Sequence, residues 1–277
     1  MIYNFSKLKM EGGAILKFFT VRIFMITSVI SLLLWMSALI YLMFDRTNVE
    51  AGEIEVQNDA TIAKNDNDTI QIVALGDSLT RGTGDSFGKG YIGYFIDLIK
   101  ERTDKDINVT NLAVKGLRSP QLLELVQQKE VQRQLGQASI IMMTIGGNDL
   151  FQSGETLIAY DEKKVEEIKE QFLHNLQSIL STIRSVNTES PIYFIGLYNP
   201  FIDLDHEIDT AKTVLQWNYD TVQMLTNFTK TVFVPTYDLF QLRYNELLYT
   251  DHFHPNNEGY RLLAERLNGL VSFEESD

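Results

Sequence analysis

The pattern of apolar and polar positions divides the chain into three regions. Residues 23–44 (IFMITSVISLLLWMSALIYLMF) run for 22 positions without a charge, close to the ~20 that a membrane-spanning helix needs. Residues 45–69 are polar, rich in Asn and Asp, and carry no sustained apolar period, as a tether does. From residue 70 onward, short apolar runs alternate with longer stretches in which apolar residues recur every three or four positions.

The short runs predict strands over 70–75, 107–112, 139–145, 192–197 and 231–234. Each is nearly continuous in Ile, Val, Leu, Met or aromatic residues, which predicts strands buried on both faces, as in a parallel sheet. The periodic stretches predict helices over 91–102, 119–134, 164–186, 211–228 and 256–270, the second opened by Ser119 as N-cap with Pro120 in its first turn. Strands and helices in alternation predict a doubly wound α/β domain, whose ligand crevice lies at the carboxyl ends of the strands.

Charge and composition sharpen this picture. With no cysteine, the chain has no disulfide, no thiolate metal site and no cysteine nucleophile. Lys7, Lys9, Lys17 and Arg22 precede the apolar run against Glu11 alone, so 20 of the 24 basic and 36 of the 37 acidic residues follow it, a net −16 there. So acidic a body argues against nucleic acid as a partner, because neutralising phosphates takes clustered Lys and Arg. The basic flank predicts a single-pass anchor at the cell membrane, with a cytoplasmic N-terminus and the body that follows extracellular. The alternative is a cleaved signal peptide and a secreted body. Its apolar stretch would be shorter, about 7–15 residues, with small residues placed after it, whereas Ser37 and Ala38 lie inside the run.

Chemistry-bearing residues gather at the predicted strand ends. The first strand leads into Gly76, Asp77 and Ser78, the second into Asn111 and Gly116, and the third into Gly146, Gly147, Asn148 and Asp149; Asp251, His254 and Pro255 precede the last helix. These are the parts of an acyl-transfer site. A serine hydroxyl needs an adjacent base to act as a nucleophile, and histidine suits that task. Asp251, three residues before His254, is near enough for a local turn to bring its carboxylate to the ring. The backbone N–H groups of Ser78 and Gly116 and the side-chain amide of Asn148 are candidate donors to a tetrahedral oxyanion. Asp77 and Asp149 read as structural, bonding the turns that hold Ser78 and Asn148. Asp251, His252 and His254 suit a metal by residue type, but no further histidine lies nearby and the triad uses two of the three; neither metal nor cofactor is expected. The glycines at 76, 82, 84 and 88 do not make a phosphate loop: Lys89 is followed by Gly90, and Phe87 stands where a dinucleotide motif needs glycine.

In this order, GDSL, the later glycine, GGND and DxxHP resemble the four sequence blocks of the SGNH (GDSL-type) hydrolases, from about residue 70 to the last helix. The resemblance implies a three-layer α/β/α fold with a flavodoxin-like, five-stranded parallel sheet. It implies Ser78 as nucleophile, Gly116 and Asn148 as oxyanion donors, and His254 with Asp251 completing the triad. It implies hydrolysis of esters or thioesters of lipids, sugars or small acyl compounds, without a metal. Within the family the chain looks most like lysophospholipase-like bacterial members, here on a membrane anchor.

The expected whole is a basic cytoplasmic segment (1–22), a transmembrane anchor (23–44), a tether (45–69) and an SGNH hydrolase domain (70–277). It would act outside the cytoplasmic membrane on an acyl-ester small molecule, a lipid or a cell-wall ester. The alternative is a catalytically silent cell-surface binding protein on a hydrolase fold, signalled by a missing triad member. Lys115 stands where the family pattern often has a small or hydroxylated residue. Directed into the crevice it would favour an anionic substrate; the expectation is that it points outward. The loops at 150–160 and 198–209 are read evenly as acyl-binding wall or as packed surface.

Overall fold

The computed structural model describes residues 69–152, 161–202 and 207–271, together with 25, 27, 28 and 31–37. The chain divides into two units, Met1–Lys64 and Asn65–Asp277. The expected cytoplasmic segment, the tether and most of the expected anchor lie outside the described residues. Residues 31–37 are helical, and Leu32, Leu33, Leu34, Trp35 and Met36 are exposed. Among the described residues no helix is long and apolar enough to cross a membrane.

In the second unit, five parallel strands form one sheet: β1 (Thr69–Gly76), β2 (Asp106–Asn111), β3 (Ile140–Thr144), β4 (Ile192–Ile195) and β5 (Thr231–Val234). Their spatial order is β2-β1-β3-β4-β5, the flavodoxin-like order. Its direction of winding reverses between β1 and β3, which opens a crevice at their carboxyl ends.

Side-chain alternation along β1 separates two cores. Val73 and Leu75 join one, packed with α3 (Ser119–Val126), α4 (Lys129–Gln137), α6 (Glu162–Val186) and α7 (Glu207–Leu225). Ile70, Ile72 and Ala74 join the other, packed with α2 (Gly90–Lys100) and α10 (Asn257–Asn268). Burying both faces of the sheet gives the three layers that the alternation predicts. Four short helices escape the sequence period: α1 (Ser78–Arg81), α5 (Gly147–Phe151), α8 (Tyr237–Gln241) and α9 (Tyr244–Leu247). At four or five residues, they are too short to show a period.

Three expectations are corrected. The central strands β3 and β4 are buried throughout, but β2 is largely exposed because it is an edge strand with one neighbour. The single helix expected over 119–134 is two, α3 and α4, broken at Gln127 and Gln128. Leu122 and Val126 are buried at helical spacing, as are Val131 and Leu135, but the five-residue step from Val126 to Val131 is out of phase. Gln128 takes an extended conformation, and the break returns both pairs to the core. Finally, the N-cap of α3 is Arg118 rather than Ser119, which is freed for a different contact.

Candidate active site

Ser78 is the first residue of α1, so its N–H has no acceptor within the helix. The turn that delivers it depends on Gly76, with φ +136°, because any Cβ there would run into the backbone carbonyl of Thr144 on β3. Asp77 caps α1 by accepting from the Leu79 N–H at 3.0 Å. The same Oδ1 accepts from the Thr144 hydroxyl at 2.8 Å. Thr144 lies 2.8 Å from the hydroxyl of Thr80, which lies 2.8 Å from that of Tyr91. A buried hydrogen-bonded chain therefore runs from α2 to the turn before Ser78. Burial pushes the Asp77 carboxyl above its ordinary value, against the pull of the bonds from Thr144 and Leu79.

His254 comes to Ser78 from the far end of the domain. Its Nε2 is 2.8 Å from Ser78 Oγ and its Nδ1 is 2.7 Å from Asp251 Oδ2. This pairing fits the tautomer with Nδ1–H donating to the carboxylate and Nε2 accepting from the serine. Partial burial works against ionisation of Asp251, but bonds from the His254 ring and from the His254 and Phe253 N–H groups outweigh it, so the carboxyl lies below its ordinary value. The sequence spacing foresees this local turn: Asp251 Oδ1 accepts from the N–H of Phe253 at 3.0 Å and of His254 at 2.9 Å. His252 is exposed, with φ +54°, and is not part of the cleft lining.

Gly116 and Asn148 share with Ser78 and His254 a cleft of about 410 Å³. Gly116 has φ +74°, the left-handed conformation glycine takes without strain. One N–H of the Asn148 amide donates to the Leu117 carbonyl at 3.1 Å; its 3.5 Å approach to Asp77 Oδ2 is at the outer limit of a hydrogen bond. Asp149 is buried, as a structural residue would be, but it serves a different turn from the one expected. It accepts from both the N–H and the hydroxyl of Ser119 and so fastens the start of α3 rather than the Asn148 turn.

Phe151, Phe201 and Phe253 make an apolar wall in the cleft, each ring edge-on or tilted to the others with centroids 5.0–6.0 Å apart. Phe151 and Phe201 come from the two loops whose role the sequence leaves even. Residues 153–160 and 203–206 of those loops are outside the described residues. Phe253 was not singled out from the sequence; its neighbour His254 was the only signal. Phe151 and Phe253 also border a smaller chamber, about 20 Å³, below Ser78 and Asn148. Lys115 is exposed and is among the residues that line the larger cleft.

The sequence profile of the GDSL-like lipase/acylhydrolase family matches residues 74–262. The chain belongs to this family. It is therefore an ester-hydrolysing enzyme of the GDSL type. Across 210 residues, 74% of its length, it is 34% identical to the uncharacterized protein YpmR of Bacillus subtilis (strain 168), covering 82% of that protein. It is 28% identical to the spore germination lipase LipC of Bacillus licheniformis, over 72% of this chain and 95% of that one. Among solved structures, the lipase Lip_vut3 from a goat rumen metagenome is similar with a TM-score of 0.61 and 26% identity, over 72% of this chain and 96% of that one.

Thr144 is the donor that keeps Asp77 satisfied in this GDSL-type site. Thr144→Val keeps the shape and removes the hydroxyl, leaving a buried carboxylate short of a partner, at a cost of about 1–3 kcal/mol. The lost donor favours the ionised carboxyl, so the folded pKa rises further. The destabilisation is present above that folded value and fades as acid protonates Asp77. Urea denaturation across pH measures it; a midpoint equal to wild type at neutral pH contradicts the assigned role.

Proposed function

We propose that this GDSL-family enzyme is a serine esterase or lipase acting on carboxylic esters, and on thioesters, through a triad of Ser78, His254 and Asp251. The observation that carries the reading is the unbroken relay from Ser78 Oγ to His254 Nε2 at 2.8 Å and from His254 Nδ1 to Asp251 at 2.7 Å. Both distances lie within the reach that proton transfer needs.

In this reading His254 Nε2 takes the hydroxyl proton as Ser78 Oγ attacks the acyl carbon. The imidazolium that forms is held by the Asp251 carboxylate, which stays ionised. The N–H groups of Ser78 and Gly116 and the amide of Asn148 receive the oxyanion, each worth about 2.7–4 kcal/mol in the transition state. His254 then gives its proton to the leaving alcohol or thiol, and the acyl-enzyme forms. Water enters, His254 takes a proton from it, and the second tetrahedral intermediate collapses to acid and free Ser78. The phenylalanine wall beside Ser78 suits the acyl chain. A silent binding protein would be signalled by a broken relay, and this relay has all its members.

The finer assignment is to a lysophospholipase-like enzyme whose N-terminal segment, residues 23–44, anchors it in the cell membrane with the catalytic domain outside. Its support is the uncharged run with its basic flank and the likeness to proteins named as lipases. Lipid and cell-wall esters are the substrates such a tether brings near.

Ser78→Ala is expected to abolish hydrolysis of p-nitrophenyl butyrate while leaving thermal unfolding unchanged, and Asp251→Asn to lower kcat by about 10⁴-fold. Retained turnover in Ser78→Ala would remove the serine from the mechanism. For the anchor, the full chain should stay with membranes through an alkaline carbonate wash and a chain beginning at residue 50 should not. Release of the full chain by the wash contradicts the spanning segment.

A further inference from the structure

The lining of the main cleft is unusual for this body. The region after the apolar run carries a net −16, yet among the described residues the cleft is lined by no carboxylate. Its one permanent cation among the described residues is Lys115, beside the serine, glycine, asparagine and phenylalanine residues of the site. Lys115 is exposed and has no ion pair among the described residues. Among the described residues the cleft thus carries one permanent positive charge with no acid paired to it, in a domain whose average field repels anions.

The position of that charge is fixed by the fold. Lys115 immediately precedes Gly116, whose left-handed turn sets the loop against the nucleophile. Two bonds hold the loop in register. The Val114 N–H donates to the Gly76 carbonyl at 2.9 Å, and the Asn111 amide donates to the Thr80 carbonyl at 3.0 Å. Arg81 and Arg118, both exposed, lie on the two segments so joined. Lys115 therefore lines the same cleft as Ser78, Gly116 and Asn148, while the wall of Phe151, Phe201 and Phe253 offers no polar group to an acyl chain. An ester lying across Ser78 would place its acyl chain against the aromatic wall and its alcohol part within reach of Lys115.

We propose that Lys115 is a specificity-determining residue that recognises an anionic group on the alcohol side of the ester, a phosphate in particular. A lysine ammonium binds phosphate as a compact point charge. This inference rests on the serine-esterase reading and adds to it the chemical class of the substrate. The phosphate belongs either to a lipid headgroup or to an acylated polyol phosphate, which present the same chemistry to the lysine.

The test compares kcat/KM for two esters with the same acyl chain, 1-acylglycerol and 1-acylglycerol 3-phosphate, made with acetyl and with lauroyl chains. Wild type should favour the phosphate ester about tenfold, equivalent to about 1.4 kcal/mol, and the preference should shrink as salt screens it. A larger preference in the lauroyl pair assigns the phosphate to a lipid headgroup, and in the acetyl pair to a polyol phosphate; either supports Lys115 as its partner. Lys115→Gln should bring the ratio near one, Lys115→Glu below one, and Lys115→Arg should retain most of it. Because the ratio is taken within each variant, a general loss of activity cancels. No preference in wild type, or a preference that survives Lys115→Gln, overturns the inference. Ser78→Ala assayed on the same esters tests the nucleophile separately, so failure at Lys115 with Ser78 still required leaves the esterase reading standing.

Discussion

The hydrogen bond between Ser78 and His254 joins residues 176 positions apart at 2.8 Å, and the rest of the domain is organised to hold it. A shift of one ångström at either end would break the bond, so both ends are tied to each other as well as to the sheet. The Tyr260 hydroxyl on α10 donates to the Thr83 carbonyl at 2.7 Å. Asn257, also on α10, accepts from the Ser86 N–H and donates back to the Ser86 hydroxyl, both at 2.8 Å. Gly84 lets the loop after Ser78 press against the Pro255 carbonyl, where a side chain has no room. The glycine-rich segment after Ser78 therefore serves as a clasp to the histidine-bearing turn, which explains its composition without a phosphate.

Beneath this clasp lies a polar network with a different logic. Asp77 is buried, and desolvation alone would make it costly. It is tolerated because it is satisfied: Leu79 and Thr144 donate to it, and Thr80 and Tyr91 extend the chain into the core. Asp149 repeats the device at the start of α3 through Ser119, whose hydroxyl also accepts from Asn175 on α6 at 3.0 Å. Both carboxylates stand at strand ends where loops must be fixed without apolar packing, so hydrogen bonds take over that task. The charges at the surface and the charge at the cleft do opposite things. The body is acidic as a whole, whereas the described residues that line the cleft include no carboxylate and one lysine, Lys115.

Much of this was legible in the sequence, for identifiable reasons. The strand-length runs are apolar because β1, β3 and β4 are buried, and their ends are marked by glycines that the turns require. Ser78, Asn148, Asp251 and His254 were therefore readable from type and position together. The break between α3 and α4 was hidden because each half keeps a helical period and only the five-residue step between them fails. The partnership of Asp77 with Thr144 spans 67 positions, and nothing local in the sequence announces it. The aromatic wall draws one ring from the end of α5 and one from each of two loops, so no stretch of sequence carries its pattern. The place of Lys115 on the cleft lining depends on the fold of the loop that ends at Gly116, which the sequence does not display. The expected anchor lies mostly outside the described residues and still rests on the uncharged run and its basic flank.

The central claim is that the fold delivers one serine, Ser78, to a histidine that activates it. Treatment of the folded protein with a fluorophosphonate, followed by peptide mass mapping, tests this most directly, because the reagent phosphonylates an activated serine and spares ordinary hydroxyls. The account predicts one adduct per chain, on the peptide that carries Ser78, formed in step with loss of esterase activity. An adduct on another residue, or activity lost with Ser78 unmodified, would contradict it.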